Sequence, residues 1–470
     1  MTGRVVIPFL LVVLWCTPAI AQDLSGLASS AAADSLLTEG TDAFVRGDYE
    51  AAQDRFLSVR EQYAGTTAMS AATYMAARSS YRLEQYARVI GLLSRFGTDF
   101  PGSSYTEDAE RLVGLAREAE QLRDRRPARL GVVLSLEKEL RLETQAMFNG
   151  IHLAVEAHNA SFTSRPVQIM YRDSDPGEEG ARRSVRELAA AGADIILGTL
   201  FSDTALAAAD EARRRGVVFV APLATDGRIS RDNPWAFQAN PSMAVRGELA
   251  ARFAVNGLRM DSLGVVTTHD ADGLSEELTD AFVQEVSELG KFVNLITLLP
   301  DERGWFQLPD FFPADTLRHV DALYMPIVSN DRQRVAGGIL SSMDRFGRTT
   351  RILGNAAWHD LPMRTHASKY EVTYVNDYFP GRDSMATARF ESAYRPLAGV
   401  GPGRLAYSGF DVATFLSGIL DRPDLENLAD IIRRAPTFDG LAHRIHFDGT
   451  NVNRAMFYHR YRDGNLALIR

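Results

Sequence analysis

The chain has 470 residues, 46% of them apolar and 24% charged, which at roughly 100–200 residues per domain predicts two to four domains with ample material for packed cores. That composition excludes long disorder, collagen-like repeats and a polytopic membrane protein. A formal charge of −9 without any basic block argues against nucleic acid and against an anionic lipid surface as partners.

The first 21 residues read as a basic start at Arg4, an apolar run from Val5 to Cys16 and a small-residue site, Ala19-Ile20-Ala21. This is the pattern of a secretory signal peptide cleaved before Gln22, and it predicts a periplasmic protein. Cleavage removes Arg4, taking the charge from −9 to −10, and removes Cys16, the one cysteine. Disulfides, thiol catalysis and cysteine metal sites are then excluded. Trp15 stands where a lipoprotein signal needs a small residue, which argues against lipidation. The apolar run is shorter than the ~20 residues that span a bilayer, and no later segment is long and apolar enough. The basic residues are nearly all arginine, with only Lys138, Lys291 and Lys369 as exceptions.

Residues 35–126 are Ala-rich and helical in period. Gly47-Asp48-Tyr49-Glu50-Ala51-Ala52 is echoed by Leu83-Glu84-Gln85-Tyr86-Ala87-Arg88, and Tyr63-Ala64-Gly65-Thr66-Thr67 by Phe100-Pro101-Gly102-Ser103-Ser104; Tyr63 and Phe100 are 37 residues apart. Such a period, built from two amphipathic helices, predicts a helical solenoid of two and a half repeats, each burying its stripe only against a neighbour. The stripes are Phe44, Phe56 and Val59, then Tyr81, Val89, Leu92 and Leu93, and the last helix is expected from Tyr105 to Leu122. The segment resembles tetratricopeptide repeats of bacterial envelope proteins, whose Phe/Tyr-Pro-Gly-Ser-Ser stretch opens the next repeat. The resemblance implies either a groove for a partner or a spacer or dimerisation arm.

After Arg125-Arg126-Pro127 the pattern changes to alternating strand and helix. Strands are expected at Leu130 to Leu134, Val167 to Arg172, Asp194 to Gly198 and Val217 to Pro222, with helices at Glu143 to Asn159, Glu178 to Ala191 and Thr204 to Arg215 between them. The rhythm restarts at Ser262 to Thr267, Ala322 to Ile327 and Thr350 to Gly354. This spacing predicts two α/β lobes of parallel strands with right-handed crossovers, and ligands at the carboxyl ends of the strands. At one such end, Gly198-Thr199-Leu200-Phe201-Ser202-Asp203-Thr204 offers a glycine turn, capping hydroxyls and a helix start, a plausible anion or carboxylate seat; the next strand ends in Ala221-Pro222-Leu223-Ala224-Thr225-Asp226. Plain helix capping explains the same residues.

From Arg129 onward the chain resembles type I periplasmic solute-binding proteins of the branched-chain amino-acid branch. The matching pieces are Asn149-Gly150-Ile151-His152-Leu153-Ala154, Arg172-Asp173-Ser174-Asp175-Pro176, Ile196-Leu197-Gly198 through Ser202, and Val220-Ala221-Pro222-Leu223-Ala224-Thr225. Further pieces are Trp235-Ala236-Phe237 to Pro241-Ser242, Phe390-Glu391-Ser392-Ala393-Tyr394, Gly409-Phe410-Asp411-Val412-Ala413, and Ile445-His446-Phe447-Asp448-Gly449 with Tyr461 to Ile469. The resemblance implies one bilobal domain over residues 128–470, with lobe one at about 128–243 and 378–440 and lobe two at about 244–377 and 441–470. It also implies that Ser202, the backbone of Leu223 and Thr225 hold a ligand carboxylate. Where the family has an aromatic Tyr-Gly pair, this chain has His269-Asp270-Ala271-Asp272-Gly273. The acid for a ligand ammonium is missing from Gly354-Asn355-Ala356-Ala357-Trp358, and Asp203 and Asp226 flank the seat. These departures point to a neutral or cationic ligand held partly by Asp270, Asp272 and Trp358, and Thr204 and Tyr324 complete the candidate set.

An insertion, Pro300-Asp301-Glu302-Arg303-Gly304-Trp305-Phe306-Gln307-Leu308-Pro309-Asp310-Phe311-Phe312-Pro313, is expected to cover a helix face or to present an adhesive surface. His443 and His446, and His152 and His158, lack ligand spacing, and there is no nucleophile elbow, phosphate loop or HExxH. No metal, cofactor or catalysis is expected. The reading is an exported solute-binding protein that closes two lobes on a small polar ligand for ABC-type uptake or sensing, with the repeats as a docking arm toward a membrane permease. The layout is also similar to activators of penicillin-binding proteins, which would make the cleft vestigial and a cell-wall synthase the partner.

Overall fold

The chain divides between Asp124 and Arg125 into two compact units. A computed structural model describes residues 30–122 and 126–469, apart from 162, 164, 175, 176, 382, 383, 423 and 424. The expected signal peptide lies outside the described residues.

The first unit consists of helices α1 (Ala31–Val45), α2 (Tyr49–Gln62), α3 (Ala68–Arg82), α4 (Tyr86–Leu93), α5 (Phe96–Asp99) and α6 (Thr106–Leu122). Ser30 and Asp48 start the first two as N-caps, their oxygens accepting the N–H of Ala33 and Ala51. Between helices the chain turns through positive φ at Gly47 and Glu84, and again at Gly65 and Gly102; each pair is 37 residues apart, so the sequence period is a period of backbone conformation. Phe56 and Val59 pack among Ala33, Ala43, Ala52, Ala72 and Ala76, small residues that let the helices approach closely. A Cβ on Gly40 would lie 2.6 Å from the Phe56 ring. Of the expected stripes, Phe56, Val59, Tyr81, Val89 and Leu93 are buried, while Phe44 and Leu92 are partly so.

The second unit opens with β1 (Ala128–Leu134), α7 (Arg141–Ala160), β2 (Val167–Asp173), α8 (Glu178–Ala190), β3 (Ile195–Gly198), α9 (Ser202–Arg215), β4 (Val218–Ala221) and β5 (Ala236–Gln238). Their parallel sheet, in the order β2-β1-β3-β4-β5, is the core of lobe one. The central strands read as continuous apolar runs because both faces are covered. The chain then crosses to lobe two: α10 (Met243–Arg252), β6 (Ser262–Thr268), α11 (Leu274–Glu288), β7 (Phe292–Leu299), β8 (Ala322–Tyr324), α12 (Arg332–Asp344), β9 (Arg351–Gly354), α13 (Arg364–Lys369) and β10 (Thr373–Asn376). It returns to lobe one with α14 (Met385–Ala398), α15 (Arg404–Leu420), α16 (Leu428–Arg433) and the hairpin β11 (Phe438–Asp439) and β12 (Arg444–Ile445), and finishes in lobe two with β13 (Phe457–Arg462) and β14 (Asn465–Ile469). The lobe-two sheet runs β14-β13-β10-β9-β8-β6-β7; β13 is antiparallel to its neighbours β10 and β14, so β14 runs in the direction of the other five strands.

The expected boundary at 441 moves. Ile445 and Phe447 are buried in the lobe-one core, the Phe447 ring edge-on to Phe237 at 5.3 Å, and the Asp411 carboxylate gathers the N–H groups of Leu441, Ala442 and His443. Residues through Asn453 therefore stay with lobe one, and only β13 and β14 join lobe two. The insertion turns inward: Trp305, Leu308 and Phe312 are buried against α12, and a Cβ on Gly338 would meet the Phe306 ring at 2.4 Å. It covers a helix face, and of its four aromatics only Phe311 is exposed.

Candidate functional site

The carboxyl ends of β3 and β4 build the first half of the site. Gly198 has φ +151°, and a Cβ on it would lie 2.1 Å from the Val133 carbonyl oxygen, so only glycine lets β3 end this close to β1. The chain then turns through Thr199, whose hydroxyl meets that of Thr204 at 2.7 Å, and enters α9 at Ser202. Ser202 Oγ accepts the Thr225 N–H at 3.4 Å, which brings the two loops together. The second loop is held from behind: Asn240 donates to the Leu223 carbonyl at 2.6 Å and Gln238 to that of Ala224 at 3.1 Å. The Thr225 hydroxyl and the Leu223 N–H make no hydrogen bond within the described residues, which leaves them available to a ligand.

The two acids at this seat differ. Asp226 is paired with Arg228, 2.5 Å from Nη2, and this guanidinium holds its carboxyl below the usual range. Asp203 is exposed at the start of α9. Beside the seat, the loops after β1, β2 and β3 enclose a cavity of about 210 Å³ lined by Ser135, Glu137, Ser174, Thr199, Phe201 and Asp203 among others, with Thr204 on its wall. Thr204 thus faces this cavity and Thr199, while Ser202 faces Thr225.

Lobe two supplies less than the sequence suggests. The Asp270 carboxylate accepts the N–H groups of Asp272, Leu274 and Ser275 at 3.1, 3.0 and 2.6 Å, capping α11. Burial works against its charge, but these donors outweigh burial and its pKa falls. Asp272 is exposed and lends only its backbone to that turn. Tyr324 is fully buried, its ring stacked on Phe282 at 4.0 Å, so it is not a ligand contact. Trp358 is also fully buried; its Nε1 donates to the Met325 carbonyl at 2.9 Å and its ring fills the space above Gly354. Both belong to the lobe-two interior because β8 and β9 are central strands covered on both faces.

Two features had no signal in the sequence. Glu277 on α11 reaches back to the Asp226-Gly227 turn, its Oε1 3.6 Å from where a Cβ on Gly227 would sit. Burial, with Asp226 nearby, raises its carboxyl above the usual range. The second is the crossing region, where Arg246 forks onto Asp377 at 3.0 and 3.1 Å and also donates to Asn240 at 2.8 Å and to the Pro241 carbonyl at 3.0 Å. Arg404 adds a further ion pair to Asp377, whose pKa is held far below the usual range by the two arginines despite its burial. One buried carboxylate, just past the end of β10, therefore ties the returning segment to α10 and to α15. A third crossing is fixed by Asn453, which donates to the carbonyls of Ala239 and Arg444.

The histidines serve locally. His443 is bonded to Asp411 and Ser408, and His158 to the segment around Thr163. Among the described residues no three His, Cys, Asp or Glu side chains converge as a metal-binding group.

A family profile described as periplasmic binding protein matches residues 127–465. No curated protein matches the chain. Among solved structures, a putative branched-chain amino acid ABC transporter from Rhodospirillum rubrum superposes with a TM-score of 0.61 at 20% identity, covering 73% of this chain and 100% of that one. An ABC transporter substrate-binding protein from Desulfitobacterium hafniense in complex with Leu gives 0.52 at 18%, with 73% and 100% covered. A solute-binding protein of an ABC transporter from Rhodopseudomonas palustris in complex with 3,4-dihydroxy benzoic acid gives 0.50 at 16%, with 73% and 96% covered. At these identities the likeness is one of fold. With the two lobes, the three crossings and the profile match in agreement, the chain belongs to the periplasmic binding-protein family.

Proposed function

We propose that this is an exported solute-binding protein whose lobes close on a small polar ligand, amino-acid-like or another small metabolite, for ABC-type uptake or sensing. Binding, not catalysis, is its activity, as in the family. The observation that carries the reading is the Ser202–Thr225 contact: two loops from adjacent strands are joined while the Thr225 hydroxyl and the Leu223 N–H have no partner among the described residues. Hydrogen bonds to a charged ligand group are worth about 1.5–3 kcal/mol each, so three would supply much of the ~8 kcal/mol of micromolar binding. The pairing of Asp226 with Arg228 removes one of the two charges that argued against an anionic group there. On the lobe-two side, Glu277 replaces Asp270 and Trp358 as the candidate partner for a ligand cation.

The first unit is read as tetratricopeptide-like repeats that dock the protein to its partner, supported by the recurring turns at Gly47 and Glu84 and at Gly65 and Gly102. Export by a signal peptide cleaved after Ala21 is part of the same reading. The second reading, a regulator of cell-wall synthases similar to activators of penicillin-binding proteins, is favoured by one observation: Asp270, Tyr324 and Trp358 are all spent on internal structure. Thermal shift of the chain from residue 22 onward, against amino acids, small peptides, polyamines, sugars and aromatic acids, separates the two. A stabilising ligand supports solute binding. Silence across the panel, with capture of a cell-wall synthase by the same protein, supports the regulator.

A further inference from the structure

The amino ends of β6, β8 and β9, three neighbouring strands, lie at the edge of lobe two opposite the carboxyl ends that form the site above. The segments entering these strands enclose a hollow of about 380 Å³, within the range of small-molecule sites. Its lining includes Arg259, Arg318, Arg348 and Arg351 against one carboxylate, Asp321. On a chain of net charge −9 this is a local reversal of sign.

The four arginines are not equivalent. Arg318 is paired with Asp315 at 3.3 Å and Arg351 with Glu371 at 2.9 Å. Arg259 and Arg348 form no ion pair or hydrogen bond with any described residue. A structural role is available to arginines here, since the turn at Phe253–Gly257 and helix α12 end nearby and their carbonyls attract cations. Neither side chain donates to those carbonyls, so that role leaves both guanidinium groups unused. Asp321 opposes an anion less than its charge suggests, because one of its oxygens accepts the N–H groups of Asp261 and Ser262 at 2.8 and 3.0 Å.

An independent observation comes from Thr350. It is only 7% exposed, it lines the hollow, and its hydroxyl makes no hydrogen bond within the described residues. The hydroxyl oxygen itself reaches solvent, so at the wall of a hollow edged by free guanidinium groups it can donate to a bound acceptor without first breaking a bond to the protein.

We infer that this hollow binds a small anion bearing a phosphate or diphosphate group, with Arg259 and Arg348 as its forked donors and Thr350 as the hydroxyl donor. Guanidinium matches the oxygen spacing of such groups and is never deprotonated at working pH. The site is separate from the interlobe cleft, and its occupancy does not depend on the cleft ligand. The chemistry is shared by soluble phosphorylated solutes and by phospholipid headgroups; the negative charge of the whole protein favours the soluble source.

The test uses the full chain from residue 22 onward at low salt. Pyrophosphate is titrated calorimetrically, and vesicles of phosphatidylglycerol with phosphatidylcholine are compared with phosphatidylcholine alone by flotation. The variant is Arg259→Gln with Arg348→Gln, and the control is Arg303→Gln with Arg389→Gln, which removes the same charge elsewhere. Pyrophosphate binding that weakens at least about tenfold per arginine in the variant and holds in the control supports a soluble anion. Retention only on phosphatidylglycerol vesicles, lost in the variant and kept in the control, supports the headgroup as source. Thr350→Val weakens whichever probe binds. Absence of binding to both probes, or binding that the variant leaves unchanged or that the control weakens equally, overturns the assignment.

Discussion

Asp377→Asn is the sharpest perturbation of the crossing region, because it removes a charge and keeps the volume. Asp377 is 4% exposed and accepts two bonds from Arg246, itself 9% exposed, and one from Arg404. An asparagine there turns a donor toward one arm of the Arg246 fork and leaves the guanidinium without its counter-charge. Arg246 keeps its bonds to Asn240 and Pro241, so the loss belongs at the lower end of the ~3–5 kcal/mol that breaking a buried pair costs. At roughly 2–4 °C per kcal/mol for units of 150–250 residues, and less for larger ones, the melting midpoint falls by several degrees. The pH dependence follows from the lowered pKa of Asp377. A carboxyl depressed in the folded state adds stability above its unfolded pKa of about 3.9, and the contribution is lost as pH falls through that value toward the folded one. Wild type should therefore lose more stability than the variant between about pH 5 and pH 3. Chemical denaturation at several pH values reads both effects. A variant within about 1 kcal/mol of wild type at neutral pH, with an unchanged acid slope, would refute the account of the crossing.

Other consequences follow from single contacts. Gly150→Ala and Gly409→Ala should each destabilise severely, since the added Cβ would lie 2.1 Å from the Ala406 carbonyl oxygen or 2.3 Å from that of Met147, where α7 and α15 meet; soluble yield and melting midpoint test this. His459 is 1% exposed, stacked on Tyr374 at 5.3 Å, and burial lowers its pKa to about 4. The unfolded chain then binds the extra proton between about pH 6.5 and pH 4, so stability drops as pH falls through that window, by on the order of 3 kcal/mol in all; His459→Phe should flatten that slope in denaturant melts. Trp358→Phe should lower the melting midpoint through loss of the bond to Met325 and of packing, while ligand affinity stays within about twofold; a larger affinity loss would restore Trp358 as a contact.

The α/β rhythm was legible because strand and helix periods differ and both lobes alternate them regularly; Val167, Ser262 and Glu178 start their elements where the pattern predicts. The recurring turns at Gly47 and Gly65 were equally visible, since glycine marks positive φ. The approach of Ser202 to Thr225 was readable for a local reason: both follow the ends of adjacent parallel strands. Lobe two was read less well. A tryptophan and a tyrosine near strand ends look like ligand contacts until the packing shows that β8 and β9 are central, which sequence spacing does not reveal. Asp270 looked free because the N–H groups it caps belong to backbone and leave no trace in residue type. Glu277, Arg246 and Asp377 were missed because their partners lie on other elements, in the case of Arg246 and Asp377 more than a hundred residues away. The boundary at 441 failed for a similar reason, as Ile445 and Phe447 pack on residues far upstream.

The most direct test of solute binding is a thermal-shift screen of the wild-type chain from residue 22 onward, followed by titration of any hit into Ser202→Ala with Thr225→Val. A ligand at 100 times its Kd should stabilise wild type by about 2.7 kcal/mol, and the double variant should lose most of that shift while its ligand-free midpoint changes little. A ligand that stabilises the double variant as well as wild type would contradict the proposed seat.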